Sequence, residues 1–183
     1  SVLFRLPLDG RTPTAIKTVG VPIDQLSFLE GADGHLNVLL RARGAGEGMW
    51  GQQRLQGDTA LLRLPLAALG DGRDAAPLAF YRRLPAASPT HNRFVGDWLL
   101  MGGDSTPTWA LRYADPMAEP LPLDPGHRVE RIEAMGAHAL LVGNAGPDLH
   151  VSAVRLDGRS AALAGRHVQA AARQGETRTH GFQ

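Results

Sequence analysis

Internal repetition of a strand and turn unit is the feature that most narrows the folds open to this chain. Leu3-Phe4-Arg5-Leu6-Pro7-Leu8 returns as Leu61-Leu62-Arg63-Leu64-Pro65-Leu66, and Arg5-Leu6 leading to Asp9-Gly10-Arg11 is echoed by Arg155-Leu156-Asp157-Gly158-Arg159. A second unit, an apolar strand followed by a glycine turn and another apolar strand, occurs three times. It runs from Phe28-Leu29-Glu30-Gly31 to Val38-Leu39-Leu40-Arg41, from Leu99-Leu100-Met101-Gly102 to Ala110-Leu111-Arg112, and from Leu140-Leu141-Val142-Gly143 to Val151-Ser152-Ala153-Val154-Arg155. Short apolar runs bounded by glycine are the signature of strands joined in hairpins.

The rest of the chain follows the same punctuation, with 22 glycines and 13 prolines spread along 183 residues. Ten apolar runs read as strands: 3–8, 26–29, 36–41, 60–66, 94–101, 108–113, 129–134, 139–142, 149–156 and 162–169. Helical competition is weak. Ala67 to Leu69 allows one helical turn, and Ser160 to Arg173 carries Gly165 and Val168 without a clean 3.6-residue period. The expected fold is therefore all-β: a sandwich, barrel or propeller. Hairpin copies begin about 40 to 70 residues apart, which fits the four-stranded blade of a β-propeller better than a barrel meander. The longer interval calls for inserted loops, supplied by the glycine-rich Gly44 to Gly51 and by Leu69 to Pro89. The reading is one propeller-like segment over 1–183 with about three four-stranded blades. Closed propellers take about 4 to 8 blades, so the ring is expected to be incomplete. Such a segment is either an excised part of a longer chain or closes its edges against another copy, because long unpaired edges invite aggregation.

The order Gln25-Leu26-Ser27-Phe28, Asp33-Gly34-His35-Leu36-Asn37-Val38 and Leu61-Leu62-Arg63-Leu64, followed by Gly126-His127-Arg128-Val129-Glu130-Arg131-Ile132 and Ala139-Leu140-Leu141-Val142, resembles bacterial and archaeal secreted proteins with a C-terminal β-propeller domain. The resemblance implies a propeller fold and an extracytoplasmic location. It carries no catalytic residues across.

Charge removes several classes of partner. Nineteen Lys and Arg against 18 Asp and Glu leave a net charge of +1, which supplies no field for nucleic acid or an anionic membrane. Lys17 is the only lysine, a bias that reads as genome composition rather than as a site built from guanidinium groups. The absence of cysteine removes disulfides and thiolate metal sites. No apolar run approaches the roughly 18 residues of a membrane helix, so membrane insertion is not expected. No leader pattern opens the chain, but it begins at Ser1, which suits a processed or cleaved piece.

Motifs for chemistry are sparse. Gly46-x-Gly48-x-x-Gly51 matches a dinucleotide pattern but leads to a strand instead of a helix, so it reads as a loop and no cofactor is expected. The seven histidines lack metal-binding spacing, and Asp33-Gly34-His35-Leu36-Asn37 reads as a hairpin turn. There is no G-x-S-x-G elbow. In a propeller, strand ends project into a funnel, and this would gather Arg93, Asp97, His127 and Arg128 at one mouth, unless they are solvated turn residues or bonds between blades. Trp98 and Trp109 read as wedges between blades, whereas Trp50, in a glycine-rich loop, is a candidate binding residue. The leading functional reading is a non-enzymatic binding or scaffolding module for a protein or glycan. The alternative is a hydrolase or isomerase acting on a small substrate, with His127 and Asp97 as acid and base. A third is a structural oligomer closed by edge pairing. A deep pocket lined by more than two charged groups would favour the enzyme.

Overall fold

Strands form where apolar residues run between glycine and proline, and the longest such runs become the most deeply buried strands. The computed structural model describes residues 1–42, 46–47, 53–54, 57–85, 89, 91–103 and 107–175, with backbone only at 46–47 and 53–54. Apart from three single 3₁₀ turns, all regular structure among them is strand, so the chain is all-β as expected. No helix among these residues is long and apolar enough to cross a membrane. The chain divides into two compact units, Ser1–Ala87 and Ser88–Gln183.

In the first unit the strands are β1 (Val2–Arg5), β2 (Thr14–Lys17), β3 (Val21–Pro22), β4 (Phe28–Glu30), β5 (His35–Arg41), β6 (Gly46–Glu47), β7 (Gln53–Arg54), β8 (Thr59–Pro65), β9 (Asp71–Ala75) and β10 (Tyr81–Leu84). β4, β5, β8 and β10 pair antiparallel in that order, and β3 joins the other end of β5. β1 pairs antiparallel with β2, which pairs parallel with β9. Val38, Leu40, Leu62 and Leu64 pack against Leu3 and Ile16. Leu39 and Leu61, pointing to the other side, are equally buried, which is why these central strands read as continuous apolar runs rather than alternating ones. A bidentate ion pair between Arg5 and Glu30, at 2.8 and 2.9 Å, links β1 to β4.

The second unit holds two four-stranded antiparallel meanders. One is β11 (His91–Val95), β12 (Trp98–Gly102), β13 (Thr108–Arg112) and β14 (Leu121–Leu123). The other is β15 (Arg131–Met135), β16 (His138–Ala145), β17 (Asp148–Asp157) and β18 (Ser160–Gln169). Their facing side chains, Val95, Trp98, Leu100 and Ala110 against Ile132, Ala139, Leu141, Val154 and Leu156, form one apolar core. Each fully buried leucine there contributes about 1.5–3 kcal/mol of burial free energy. β18 is an edge strand and largely exposed.

All three expected hairpins are present, as β4–β5, β12–β13 and β16–β17. The helical turn allowed at Ala67 is a 3₁₀ turn over Leu66–Ala68. The expected loop from Leu69 to Pro89 instead contains β9 and β10. The single run 94–101 is two strands, because Gly96 takes φ +53° between the paired Val95 and Trp98, the first position of a two-residue type II′ turn. The described residues form no closed ring.

Gly143 in β16 marks the tightest backbone approach. A Cβ there would lie 1.9 Å from the Arg128 carbonyl oxygen and 2.8 Å from its carbon, since the chain entering β15 runs against this strand. That segment is pinned by the Arg128 and Glu130 N–H groups donating to the Asn144 and Val142 carbonyls, and by Val129 donating to Gly103. Gly143→Ala is therefore expected to lower unfolding free energy by about 3 kcal/mol or more. Gly165→Ala, where a methyl meets nothing within 4 Å, should leave it unchanged or raise it by up to about 1 kcal/mol. Urea denaturation of the two variants checks both; equal effects would contradict the assigned close approach.

Candidate functional site

Of the residues singled out from sequence, Trp50 lies outside the described residues, as does most of the glycine-rich loop around it. The other four do not converge. Asp97 occupies the exposed turn between β11 and β12, whereas Val129, two residues beyond His127, donates to Gly103 past the far end of β12. Five strand residues, about 16 Å, separate those ends. Arg93 on β11 lies 4.0 Å from Glu133 of β15, whose carboxylate also accepts from Arg131. Arg128 holds an exposed side chain and contributes its carbonyl to the histidine beside it.

His127 is 4% exposed, and both of its ring nitrogens are engaged. Its Nδ1 lies 2.7 Å from the Arg128 carbonyl, which can only accept, so Nδ1 carries the hydrogen. In the neutral ring Nε2 then accepts from the Ser152 hydroxyl at 2.9 Å. His150, tilted by 37° with its ring centre 5.4 Å away, accepts at Nδ1 from Arg166 of β18. Burial pushes the His127 pKa down; the Arg128 carbonyl opposes this, His150 and Arg166 add to it, and Glu130 opposes it. A neutral imidazole accepting from a serine has the polarity of a nucleophile and base pair. With Ser152 only 2% exposed, the pair is held away from any substrate and works as a buried hydrogen-bond network.

An accessible site lies elsewhere in this unit. A cleft of about 370 Å³ opens between the start of β12, the loop from β13 to β14 and the turn from β17 to β18. Trp98 and Leu121 form part of its apolar lining, with Met117, 84% exposed, at the rim. Trp98 also belongs to the core between the sheets, and the same side chain lines the cleft.

Four charged groups share the lining: Arg112, Asp115, Glu119 and Arg159. The loop is shaped by Asp115, whose Oδ1 accepts from the Met117 N–H at 2.9 Å while its carbonyl accepts from Ala118 at 3.2 Å. This leaves Asp115 Oδ2 3.8 Å from Arg112 Nη1, outside hydrogen-bond range. Arg112 makes no side-chain hydrogen bond among the described residues, and its Nε is buried without a partner. Neither Arg159 nor Glu119 has a hydrogen bond or ion pair among them. Buried polar groups normally find partners, so the unsatisfied Arg112 Nε, with the exposed Arg159 beside the same cleft, points to a ligand.

Of the lining residues, sequence reasoning singles out only Trp98. Ala114-Asp115-Pro116-Met117-Ala118-Glu119-Pro120 carries two prolines and an apolar side chain between strands, and Arg159 lies in the Asp-Gly-Arg turn already noticed as a repeat. No family model, curated protein or solved structure matches the chain.

The buried histidine gives a pH dependence of known sign. With its folded pKa below the unfolded value of about 6.5, the unfolded chain takes up the proton first as pH falls. The stability His127 contributes is complete above about pH 6.5 and is lost as pH falls through the folded pKa. Urea denaturation between about pH 8 and 5 should show a steeper acid loss for the native chain than for His127→Gln, by at most about 1.4 kcal/mol per pH unit. Parallel slopes would contradict it.

Proposed function

We propose that this chain is a non-enzymatic binding module, a segment of an exported β-propeller protein, and that its ligand, derived from a protein or glycan, sits in the cleft beside Trp98. The observation that carries the binding reading is the lining itself: Arg112 with its Nε unsatisfied, and Arg159 and Glu119 without partners among the described residues, next to an apolar floor. The propeller reading is supported by a five-stranded antiparallel sheet of β3, β4, β5, β8 and β10 followed by two four-stranded meanders, β11 to β14 and β15 to β18. In the second unit β11 packs on β15 and β14 on β18, first strand to first and last to last, as neighbouring blades do. The resemblance noted in the sequence supports export. The open edge of β18 supports pairing with a further strand, from another copy or from missing blades.

The same cleft favours a second reading, because it is lined by four charged groups and the Glu119 carboxylate has no hydrogen bond or ion pair among the described residues. Binding is preferred because the lining contains no hydroxyl, imidazole or amine to act as nucleophile, and Asp115 is committed to its own turn.

Titrating the labelled protein with pools of short peptides and of oligosaccharides, while following the Trp98 indole N–H and the Met117 methyl by NMR, should give saturable shifts at both with the compounds intact. Silence from both pools would overturn the binding reading. Turnover abolished by Glu119→Gln would replace it with the enzyme.

A further inference from the structure

We infer that the cleft takes an α-amino carboxylate zwitterion with an apolar body, a free amino acid or a dipeptide, with the carboxylate on Arg112 and Arg159 and the ammonium on Glu119. This rests on the reading of the cleft as a binding site. The lining carries two positive and two negative groups, so it favours a ligand bearing both signs. A phosphate dianion would meet Asp115 and Glu119, and a polyamine would meet Arg112 and Arg159. Guanidinium forks match a carboxylate edge; Arg159 has no partner among the described residues, and Arg112 has only the ion pair with Asp115 at 3.8 Å. Arg112 has the greater need, since its Nε is already stripped of water without an acceptor and its nearest carboxylate stands at 3.8 Å.

Trp98, Met117 and Leu121 offer an apolar wall for a side chain, with Met adapting to different shapes. The volume of about 370 Å³ lies near the low end of the roughly 300–1,000 Å³ typical of small-molecule sites. That suits one or two amino-acid residues rather than a long peptide. The charged pair and the apolar wall come from two sheets, so the ligand would bridge β13 and the β17 to β18 turn.

The test is calorimetric titration of the whole chain with L-leucine and with L-leucyl-L-leucine, each beside its carboxamide and its N-acetyl form. At least one zwitterion should bind saturably, and which of the two binds better separates the free amino acid from the dipeptide. The matching carboxamide should bind at least about tenfold more weakly, and Arg159→Gln should cost the acid a similar factor. Glu119→Gln should weaken the free-amine form while leaving the N-acetyl form unchanged. Arg159 and Glu119 are both exposed, so these variants fold. Equal affinity for acid and carboxamide, or no saturable heat from either zwitterion up to about 10 mM, overturns the inference. If NMR shifts at Trp98 and Met117 still report another ligand, the binding reading stands while the zwitterion falls.

Discussion

The packing of two four-stranded sheets through Leu100, Ala110, Ile132, Leu141 and Val154 is the interaction on which the second unit depends. Neither sheet could hold its apolar face in water, and each supplies the other's cover. The backbone closes around this contact. Val129 is buried and donates to Gly103 of the neighbouring sheet, and the absence of a side chain at Gly143 lets the Arg128 carbonyl sit against β16. His127 follows from that close approach, because the same carbonyl orients its ring towards Ser152.

The cleft is a by-product of the same packing. Trp98 stands at the end of the core, with its ring shared between the sheet interface and the cleft floor. Its cross-strand partner is Arg112, so the register of β12 against β13 places a guanidinium beside the indole. Packing of β14 on β18 then brings the turn carrying Arg159 to the opposite side. Charges from distant parts of the chain meet because the sheets do, and the mixture of signs keeps the cleft near neutrality.

How much of this could be read from sequence depends on how local the signal was. Val38-Leu39-Leu40 and Leu99-Leu100-Met101 announced central strands, because residues buried on both faces leave an unbroken apolar run. The strand β9, with Asp71, Arg73 and Asp74, has no such run and forms by pairing with β2, so its residue pattern alone reads as a loop. Leu121–Leu123 carries Pro122, which an edge strand tolerates but which hides the strand from pattern reading. His127 is a candidate site residue by sequence, yet its partners Ser152, His150 and Arg166 lie on β17 and β18, and only the fold shows that it is buried. Asp97 looked equivalent to His127 only while the strand between them was unplaced. The cleft left no local trace, since its residues are ordinary turn and strand-end side chains until the sheets assemble.

The central claim is that this packing builds a ligand site around Trp98, Arg112 and Arg159. A crystal structure grown with L-leucyl-L-leucine tests it most directly. The account predicts the dipeptide in the cleft, its carboxylate within hydrogen-bond distance of Arg159 or Arg112 and a leucine side chain against Trp98. A dipeptide seated only elsewhere, or one in the cleft with its carboxylate turned away from both arginines, would contradict it.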